Sequence, residues 1–413
     1  MLDKVYPAAG HLLRPPIYGA TAATDGAGLE TAAIPAFRKT RRRANCHDTR
    51  PVNTEEFKVT PSPAESAADR PTIALAMGDP AGVSPELTAR LLADEEIRQS
   101  ARIVVFGDRR ILDGGAKVAG VALDIDVVGP TTPLQPVARP VLVDLGHLAP
   151  SAVQLGVATP EGGAFAIENF RRALAMAQAG EADAVCFTPF NKQAMRYVYA
   201  EYDDEIRFVS DVIGFHGTAR EFNILEGLWN ARVTSHIPLA DVAKTITTEQ
   251  ILAELTLADQ CLRTAGFAHP RIAVAGLNPH AGDGGNCGRE EIEVIAPAVK
   301  AGVARGFNVS GPYPADTVFV RAQKGAFDAV LTMYHDQGQI AMKLIGFERG
   351  VTLLGGFPFP ICTPAHGTAY DIVGRGIANV GASRQAFLLA VRMARQQRAA
   401  RNPVDPIPTP ATV

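Results

Sequence analysis

The sequence has few cysteines, few lysines and no long apolar segment. Its 413 residues include five cysteines, which lie far apart and form no Cys-x-x-Cys pair, so neither a disulfide framework nor a structural zinc site is expected. There is no run of about 18 apolar residues for a membrane span and no apolar N-terminal signal stretch. A net charge of −3 gives no basic surface for nucleic acid. We therefore expect a cytoplasmic globular protein with no membrane or nucleic-acid partner.

Glycine and proline are plentiful instead, at 38 and 30 residues. Part of this excess lies at the two ends of the chain. Residues 1–70 are polar and rich in proline, and they include the basic run Arg38–Arg43, while residues 397–413 are also rich in proline. We predict a disordered tail at each end. A targeting segment or nucleic-acid-binding arm is the alternative interpretation of residues 1–70.

Between the tails, short apolar runs alternate with helical patterns. The runs are typical of strands buried on both faces, and they are 72–77, 103–106, 141–143, 184–187, 272–275 and 329–333. Helical spacing follows Ile167 and Ile251, and Thr247 with Gln250 forms a predicted capping box. The alternation predicts an α/β protein with a largely parallel sheet, whose chemistry lies at the carboxyl ends of its strands.

Three histidines occupy such strand ends. His236 follows a strand-like segment at 231–233, His280 lies in a glycine-rich loop after 272–275, and His335 follows 329–333. Parallel strands end at one edge, so these imidazoles can converge into a divalent-metal site with an open position. Their spacing alone does not establish this, and each could instead be a surface or capping histidine.

Three charged residues near these histidines are candidates for proton transfer. Asp336 follows His335 directly, and Asp316 lies in the segment 311–317; the alternative role for each is a turn or helix cap. Lys343 is one of only nine lysines and has apolar neighbours on both sides. This setting predicts a desolvated lysine with a lowered pKa, or else a lysine that extends from an amphipathic helix into water.

A last motif runs from His366 to Asn379, and its small residues permit close approach of the backbone to a flat ligand. No Gly-x-Gly-x-x-Gly follows the first strand, so an ordinary dinucleotide-binding fingerprint is absent.

From about Pro71 to about Met393, the chain resembles the PdxA family of 4-hydroxythreonine-4-phosphate dehydrogenases and their relatives. The resemblance is carried by several motifs: Gly78-Asp-Pro-Ala-Gly82, Thr188-Pro189 with Asn191-Lys192, His236-Ile-Pro-Leu239, Gly276-Leu-Asn-Pro-His-Ala-Gly282, Pro314-Ala-Asp-Thr317, Tyr334-His-Asp-Gln-Gly338 and His366-Gly-Thr-Ala369. The last motif is also similar to the nucleotide-binding loop of isocitrate and isopropylmalate dehydrogenases.

The resemblance implies two α/β/α lobes around a cleft, as in those dehydrogenases. We expect residues 71–200 with 350–396 in the first lobe, and residues 201–349 in the second, with the metal site and the interface of a homodimer that shares its active sites. It also implies an oxidation of a secondary alcohol to a ketone with NAD or NADP, a divalent metal (Zn, Mg or Co) and β-decarboxylation of the product.

The resemblance further assigns roles to single residues. Metal ligation falls on the three histidines, catalysis on Lys343, Asp316 and Asp336, and substrate contact on Lys343 as well. Cofactor contact falls on residues of the last motif, namely His366, Gly367, Thr368, Ala369, Asp371 and Asn379.

Several positions that hold substrate in the family are different here. Asp204, Glu205, Ile206 and Arg207 replace a Gly-His-Thr-Glu segment, Thr352 replaces an asparagine, Ile361 an arginine and Ala365 an aspartate. An isoleucine cannot replace a guanidinium that binds phosphate, although Arg207 or Arg349 could compensate. The substrate can therefore be 4-hydroxythreonine 4-phosphate, a phosphorylated four-carbon sugar acid or an aromatic dihydrodiol carboxylate. A metal-dependent hydrolase and an inactive binding protein are more distant alternatives.

Overall fold

The computed structural model describes residues 69–135 and 138–401, so the predicted N-terminal tail lies almost wholly outside the described residues. The described chain is an α/β protein, as predicted, with helices on both faces of one sheet of twelve strands. The strands are Thr72–Ala76 (β1), Arg102–Gly107 (β2), Asp126–Val128 (β3), Val141–Asp144 (β4), Ala184–Phe187 (β5), Arg220–Leu225 (β6), Leu228–Arg232 (β7), Ile272–Ala275 (β8), Val309–Tyr313 (β9), Ala329–Thr332 (β10), Val351–Gly355 (β11) and Ile361–Pro364 (β12).

Within the same described ranges, twelve α-helices join these strands. They are Ser84–Ala93 (α1), Glu95–Ser100 (α2), Arg109–Ala119 (α3), Pro160–Gln178 (α4), Lys192–Val198 (α5), Glu205–Ile213 (α6), Leu239–Thr245 (α7), Thr248–Thr264 (α8), Ala296–Ala304 (α9), Ala315–Gln323 (α10), His335–Gly346 (α11) and Gly381–Arg401 (α12). Short 3₁₀ segments occupy Pro150–Ala152, Pro279–Gly285, Phe347–Arg349 and Tyr370–Ile372, and a π-helical turn at Glu291–Ile295 precedes α9.

The predicted strands and the predicted helix start are confirmed. Every residue of β1, β5, β8 and β10 is buried, as expected for strands covered on both faces. Thr247 accepts a hydrogen bond from the backbone N–H of Gln250, whose side chain accepts one from the backbone of Thr247, so α8 begins with the capping box.

The sheet is parallel in two blocks rather than throughout. Its order is β3-β4-β2-β1-β5-β12-β11-β6-β7-β10-β8-β9, with antiparallel pairing at β12/β11, β11/β6 and β6/β7 and parallel pairing elsewhere. The block from β7 to β9 therefore runs opposite to the block from β3 to β12. Strands β6 and β11 carry polar residues between their apolar ones, so they lack the continuous apolar run by which the other strands were predicted.

Two boundary predictions can be compared with the structure. Helix α12 continues to Arg401, so residues 397–401 are helical and the predicted C-terminal tail starts too early; its remainder lies outside the described residues. The described residues belong to one compact unit, and one sheet passes through both proposed lobes. The division into two lobes stays a prediction. No helix among residues 69–135 and 138–401 is long and apolar enough to span a membrane.

Candidate active site

The loops after β7 and β10 bring two of the three histidines together. Thr234 donates from its backbone N–H and its hydroxyl to the carbonyl of Met333, at 3.1 and 2.8 Å. This joins the exits of two adjacent parallel strands. The ring centroids of His236 and His335 consequently lie 5.7 Å apart, so the expected convergence holds for this pair.

Asp336 orients one of these rings. The Nδ1 atom of His335 lies 2.7 Å from Oδ1 of Asp336. With its proton on Nδ1, the imidazole donates to the carboxylate and keeps the lone pair of Nε2 for a ligand, which is the usual arrangement of a metal-binding histidine. Asp336 therefore sits where an orienting carboxylate is needed. Asp316, in the first turn of α10, is exposed and contributes to neither of the two cavities described below.

The third histidine lies in a strained loop after β8. His280 has a left-handed backbone (φ 56°) and is exposed. Glu291 fixes this loop: its buried carboxylate accepts hydrogen bonds from the backbone N–H groups of Leu277 and Asn278, both at 2.7 Å. A non-glycine residue in this region of φ and ψ costs about 1–3 kcal/mol and persists where its surroundings over-determine it.

The structure brings two histidines together but not three. Gln337 donates from its amide to the carbonyl of Gly276 at 2.8 Å, which links the start of α11 to the loop of His280. Even so, residues 69–135 and 138–401 contain no group of three or more His, Cys, Asp or Glu side chains that could hold one metal ion. The chain on its own offers His236 and His335, two neutral nitrogen donors of the kind that Zn²⁺ and related ions prefer.

Helix α11 crosses the face of the sheet and carries Lys343. Gly338 permits this close approach, because a Cβ atom there would lie 2.0 Å from Oδ1 of Asn230 in β7. Met342 is buried against the sheet, while Lys343 is exposed. The prediction that Lys343 is desolvated was therefore wrong: successive helical residues point about 100° apart, so apolar neighbours in sequence do not bury it.

A cavity of about 180 Å³ runs between α11 and strands β6 and β11, and we call it the Lys343 cavity. His335 and Lys343 line it, as do Thr352 and Ala365. Ala365 directly precedes His366, so this one cavity connects a candidate metal ligand with the loop expected to bind the cofactor. Substrate contact by Thr352 stays a prediction.

A second cavity of about 330 Å³ lies against β6 and the loop after β7, and we call it the His236 cavity. It includes His236 and Ile206, whereas Glu205 and Arg207 do not line it. Arg207 instead pairs with Asp203 at 2.6 Å, on the surface.

The residues proposed for phosphate recognition are not available in this arrangement. Ile361 is fully buried in the core and lines neither cavity, so substrate contact at this position was a wrong prediction; it belongs to a central strand with both faces covered. Arg349 pairs with Glu226 at 3.1 Å.

The segment from His366 to Asn379 is bound to the loop after β1. The backbone N–H of Val83 donates to the carbonyl of Thr368 at 3.0 Å. Gly82 allows this contact, since a Cβ atom there would lie 2.6 Å from the same oxygen. Ala369 has φ 46°, so the segment turns sharply after Thr368.

A hydrogen bond between a tyrosine and a buried aspartate strengthens this junction. Tyr370 donates its hydroxyl to Oδ2 of Asp79 at 2.5 Å, and Asp79 is only 1 % exposed. Burial raises the pKa of Asp79, and the bond from Tyr370 opposes this rise. Burial, followed by the bond to Asp79, raises the pKa of the Tyr370 hydroxyl.

Features of this segment fit a dinucleotide. The Nε2 atom of His366 is shielded from solvent and has no hydrogen-bond partner among the described residues. Gly367 has open space around it, and the side chains of Asp371 and Asn379, in the same segment, are exposed. A ring nitrogen, a carboxylate and an amide are suitable partners for the ribose hydroxyls and base of NAD or NADP.

Three structural contributors were not predicted from the sequence. Tyr370 contacts a residue distant in the chain, whereas Glu291 and the pair Arg232–Glu221 act over 11 to 14 residues. Buried charged residues stand out in strands, so Arg232 at the end of β7 was the most accessible signal.

An α/β protein with imidazoles, a lysine and a nucleotide-type loop beside one connected cavity has the make-up of an oxidoreductase that acts on CH–OH groups. Comparison with known proteins agrees: residues 99–390 match the family described as "Pyridoxal phosphate biosynthetic protein PdxA". The chain belongs to this family.

Individual relatives extend the match. A Rhizobium meliloti (strain 1021) protein with the provisional name 4-hydroxythreonine-4-phosphate dehydrogenase 2 is 64% identical, over 83% of this chain and 99% of its own. D-threonate 4-phosphate dehydrogenase of Pectobacterium atrosepticum is 34% identical, over 78% and 99%. The crystal structure of 4-hydroxythreonine-4-phosphate dehydrogenase from Klebsiella pneumoniae aligns with a TM-score of 0.69 at 34% identity, covering 80% of this chain and 99% of that one.

Proposed function

We propose that this chain is an NAD(P)- and divalent-metal-dependent dehydrogenase that oxidises the secondary alcohol of 4-hydroxythreonine 4-phosphate, followed by loss of the β-carboxylate as CO2. The observation that carries the proposal is the Lys343 cavity, which is lined both by His335 and by Ala365, next to the cofactor segment. A dehydrogenase needs these two elements within reach of one substrate.

When bound, the dinucleotide would supply a hydride acceptor and the metal a Lewis acid. His236 and His335 are the residues of this chain that would hold the metal, and Asp336 keeps His335 in the tautomer that can do so. Lys343 lines the cavity and is the residue that we propose for proton transfer with the substrate. His366 and Asn379 would bind the dinucleotide.

A second copy of the chain would complete the metal site. Four apolar side chains near the histidines are exposed to solvent in the single chain, and they are Ile237, Leu239, Ile340 and Leu344, the last at 82%. Ile340 and Leu344 share one face of α11. We propose a homodimer across this surface, in which His280 of the partner subunit is the third metal ligand.

Subunit mixing tests this arrangement. His236→Ala and His280→Ala are each expected to be inactive. If the ligands come from two chains, mixed dimers contain one site with neither change, and activity returns to about a quarter of the wild-type value for random mixing. If all ligands come from one chain, mixing restores nothing and the shared site is rejected.

The alternative substrate is a phosphorylated four-carbon sugar acid, which the name of the Pectobacterium relative supports. NAD(P)H formation measured with 4-hydroxythreonine 4-phosphate, D-threonate 4-phosphate and a dihydrodiol carboxylate separates the candidates. Zinc-dependent hydrolysis without dinucleotide binding would instead indicate the hydrolase. The described cysteines, including Cys186 and Cys362, are free thiols, in keeping with the cytoplasmic location that we propose.

A further inference from the structure

A polar floor lies in the middle of the sheet, beneath α11. Strands β11, β6 and β7 are antiparallel neighbours, and Thr352 of β11 pairs with Asn223 of β6. Asn223 in turn pairs with Asn230 of β7, so Glu221 of β6 lies opposite Arg232 of β7. Glu221, Asn223, Arg232 and Thr352 thus share one face. Arg232 is 5 % exposed, and a buried guanidinium costs several kcal/mol unless it is paired.

Arg232 is held by three neighbours and keeps donors to spare. Its guanidinium donates to Glu221 and Asn223, both at 2.5 Å, and to the hydroxyl of Ser235 at 3.1 Å. A guanidinium has five N–H groups in a rigid fork. No described residue accepts from the remaining two, and Arg232 lines the His236 cavity.

Glu221 is the residue that the two cavities have in common at this point. It lines both the His236 cavity and the Lys343 cavity, and its side chain is 24% exposed, against 4% for Arg232. One carboxylate oxygen of Glu221 binds Arg232, and the carboxylate is partly exposed where the two cavities meet it. A substrate that reaches the histidines therefore meets a cation and an anion side by side.

We propose that the Arg232–Glu221 pair recognises the zwitterionic amino-acid end of the substrate, with Arg232 bound to its carboxylate and Glu221 to its ammonium group. This rests on the proposed function and names the substrate class as a 2-amino acid. Two adjacent opposite charges match a zwitterion, whereas a 2-hydroxy acid offers Glu221 no positive charge.

The same pair is unsuited to the phosphate end. The phosphate end has no ammonium group to pair with Glu221, so a phosphate of charge near −2 bound at Arg232 would lie beside an uncompensated carboxylate. Arg232 therefore provides a carboxylate fork rather than a replacement for the arginine that Ile361 displaces.

Calorimetric binding of two ligands tests the proposal without requiring turnover. The probes are 4-hydroxythreonine 4-phosphate and D-threonate 4-phosphate, which differ in an amino group against a hydroxyl. Wild-type protein is expected to bind the amino acid about 10- to 100-fold more tightly, the value of a charge-assisted hydrogen bond. Glu221→Gln should remove most of this preference while the affinity for the hydroxy acid changes little.

A second variant addresses the carboxylate. Arg232→Gln should weaken both ligands about 10- to 100-fold and abolish discrimination against the carboxamide analogue of the amino acid. Arg271→Gln is the matched control, since Arg271 forms a comparable pair with Asp328 at 2.7 Å before β8, away from both cavities. It should lower stability and leave both affinities unchanged.

Several results would overturn the proposal. The ion pair would be purely structural if Glu221→Gln lowered the affinity for both ligands equally, or if wild-type protein showed no preference between them. Unchanged affinities in Arg232→Gln would lead to the same conclusion. The proposal would also be overturned if Arg232→Gln lost discrimination against an analogue without phosphate but still discriminated against the carboxamide analogue. Wild-type protein that binds the amino acid selectively but never reduces NAD(P) would refute the proposed function while supporting this recognition.

Discussion

Replacing Tyr370 by Phe removes the hydroxyl that bonds the buried carboxyl group of Asp79. The two residues join the loop after β1 to the segment expected to bind the dinucleotide. Because Asp79 is 1 % exposed, solvent cannot replace the lost donor. We expect the free energy of unfolding to fall by about 1.5–3 kcal/mol where Asp79 is ionised, the value for a hydrogen bond to a charged group.

The effect should depend on pH with a definite sign. Burial raises the pKa of Asp79 in the folded protein, so its contribution to stability is fully present below the ordinary carboxyl range and is lost as the pH rises through the folded pKa. Without the Tyr370 hydroxyl this pKa rises further. The variant should therefore lose about 0.5–1.5 kcal/mol in acid, where only a neutral hydrogen bond is missing, and more at neutral pH.

Urea unfolding of both proteins from pH 5 to pH 8 measures this difference, together with KM for NAD(P), which should rise. Tyr199→Phe is the control, since Tyr199 donates to Asp211 at 2.6 Å on the surface. It should change stability by less than about 0.5 kcal/mol. A Tyr370→Phe difference that is equal to the control, or that shrinks as the pH rises, would refute the reasoning.

Three further variants probe the supports of the site. Gly338→Ala places a Cβ atom 2.0 Å from Oδ1 of Asn230 and should lower the free energy of unfolding by about 1–3 kcal/mol, together with kcat. An unchanged urea midpoint would contradict this. Glu291→Gln should cost about 1.5–3 kcal/mol by turning a buried acceptor into a partial donor, and unaltered unfolding would count against it. Asp336→Asn should weaken metal binding about 10- to 100-fold in chelator competition. Equal affinity in the variant would show that Asp336 does not orient His335 for the metal.

The parallel blocks of the sheet were predictable from the sequence because a strand covered on both faces has one simple signature, a short apolar run. Strand β7 was recognised only as a strand-like segment, since Arg232 interrupts its apolar pattern. Strands β6 and β11 carry polar side chains on one face. Each also forms a hairpin with the next strand, but the pairing of β6 with β11 joins segments that lie far apart in the chain. The reversal of strand direction in the middle of the sheet could not be inferred without knowledge of that pairing.

The candidate site shows the same limit. His236 and His335 meet because adjacent parallel strands end at one edge of the sheet. The sequence is enough to place each histidine at the end of a strand. Lys343 faces outward because the rotation of α11 is set by Gly338 and Met342 against the sheet. That orientation depends on packing between distant segments. The pairing of Arg232 with Glu221 depends instead on the register of the β6–β7 hairpin.

The initial rate of NAD(P)H formation from 4-hydroxythreonine 4-phosphate tests the central claim most directly. Protein dialysed against chelator should be inactive, regain activity with added Zn²⁺, Mg²⁺ or Co²⁺, and show no regain when His335 is replaced by Ala. Wild-type activity that ignores both chelator and the His335→Ala change, or no NAD(P)H formation with any metal, would contradict the account.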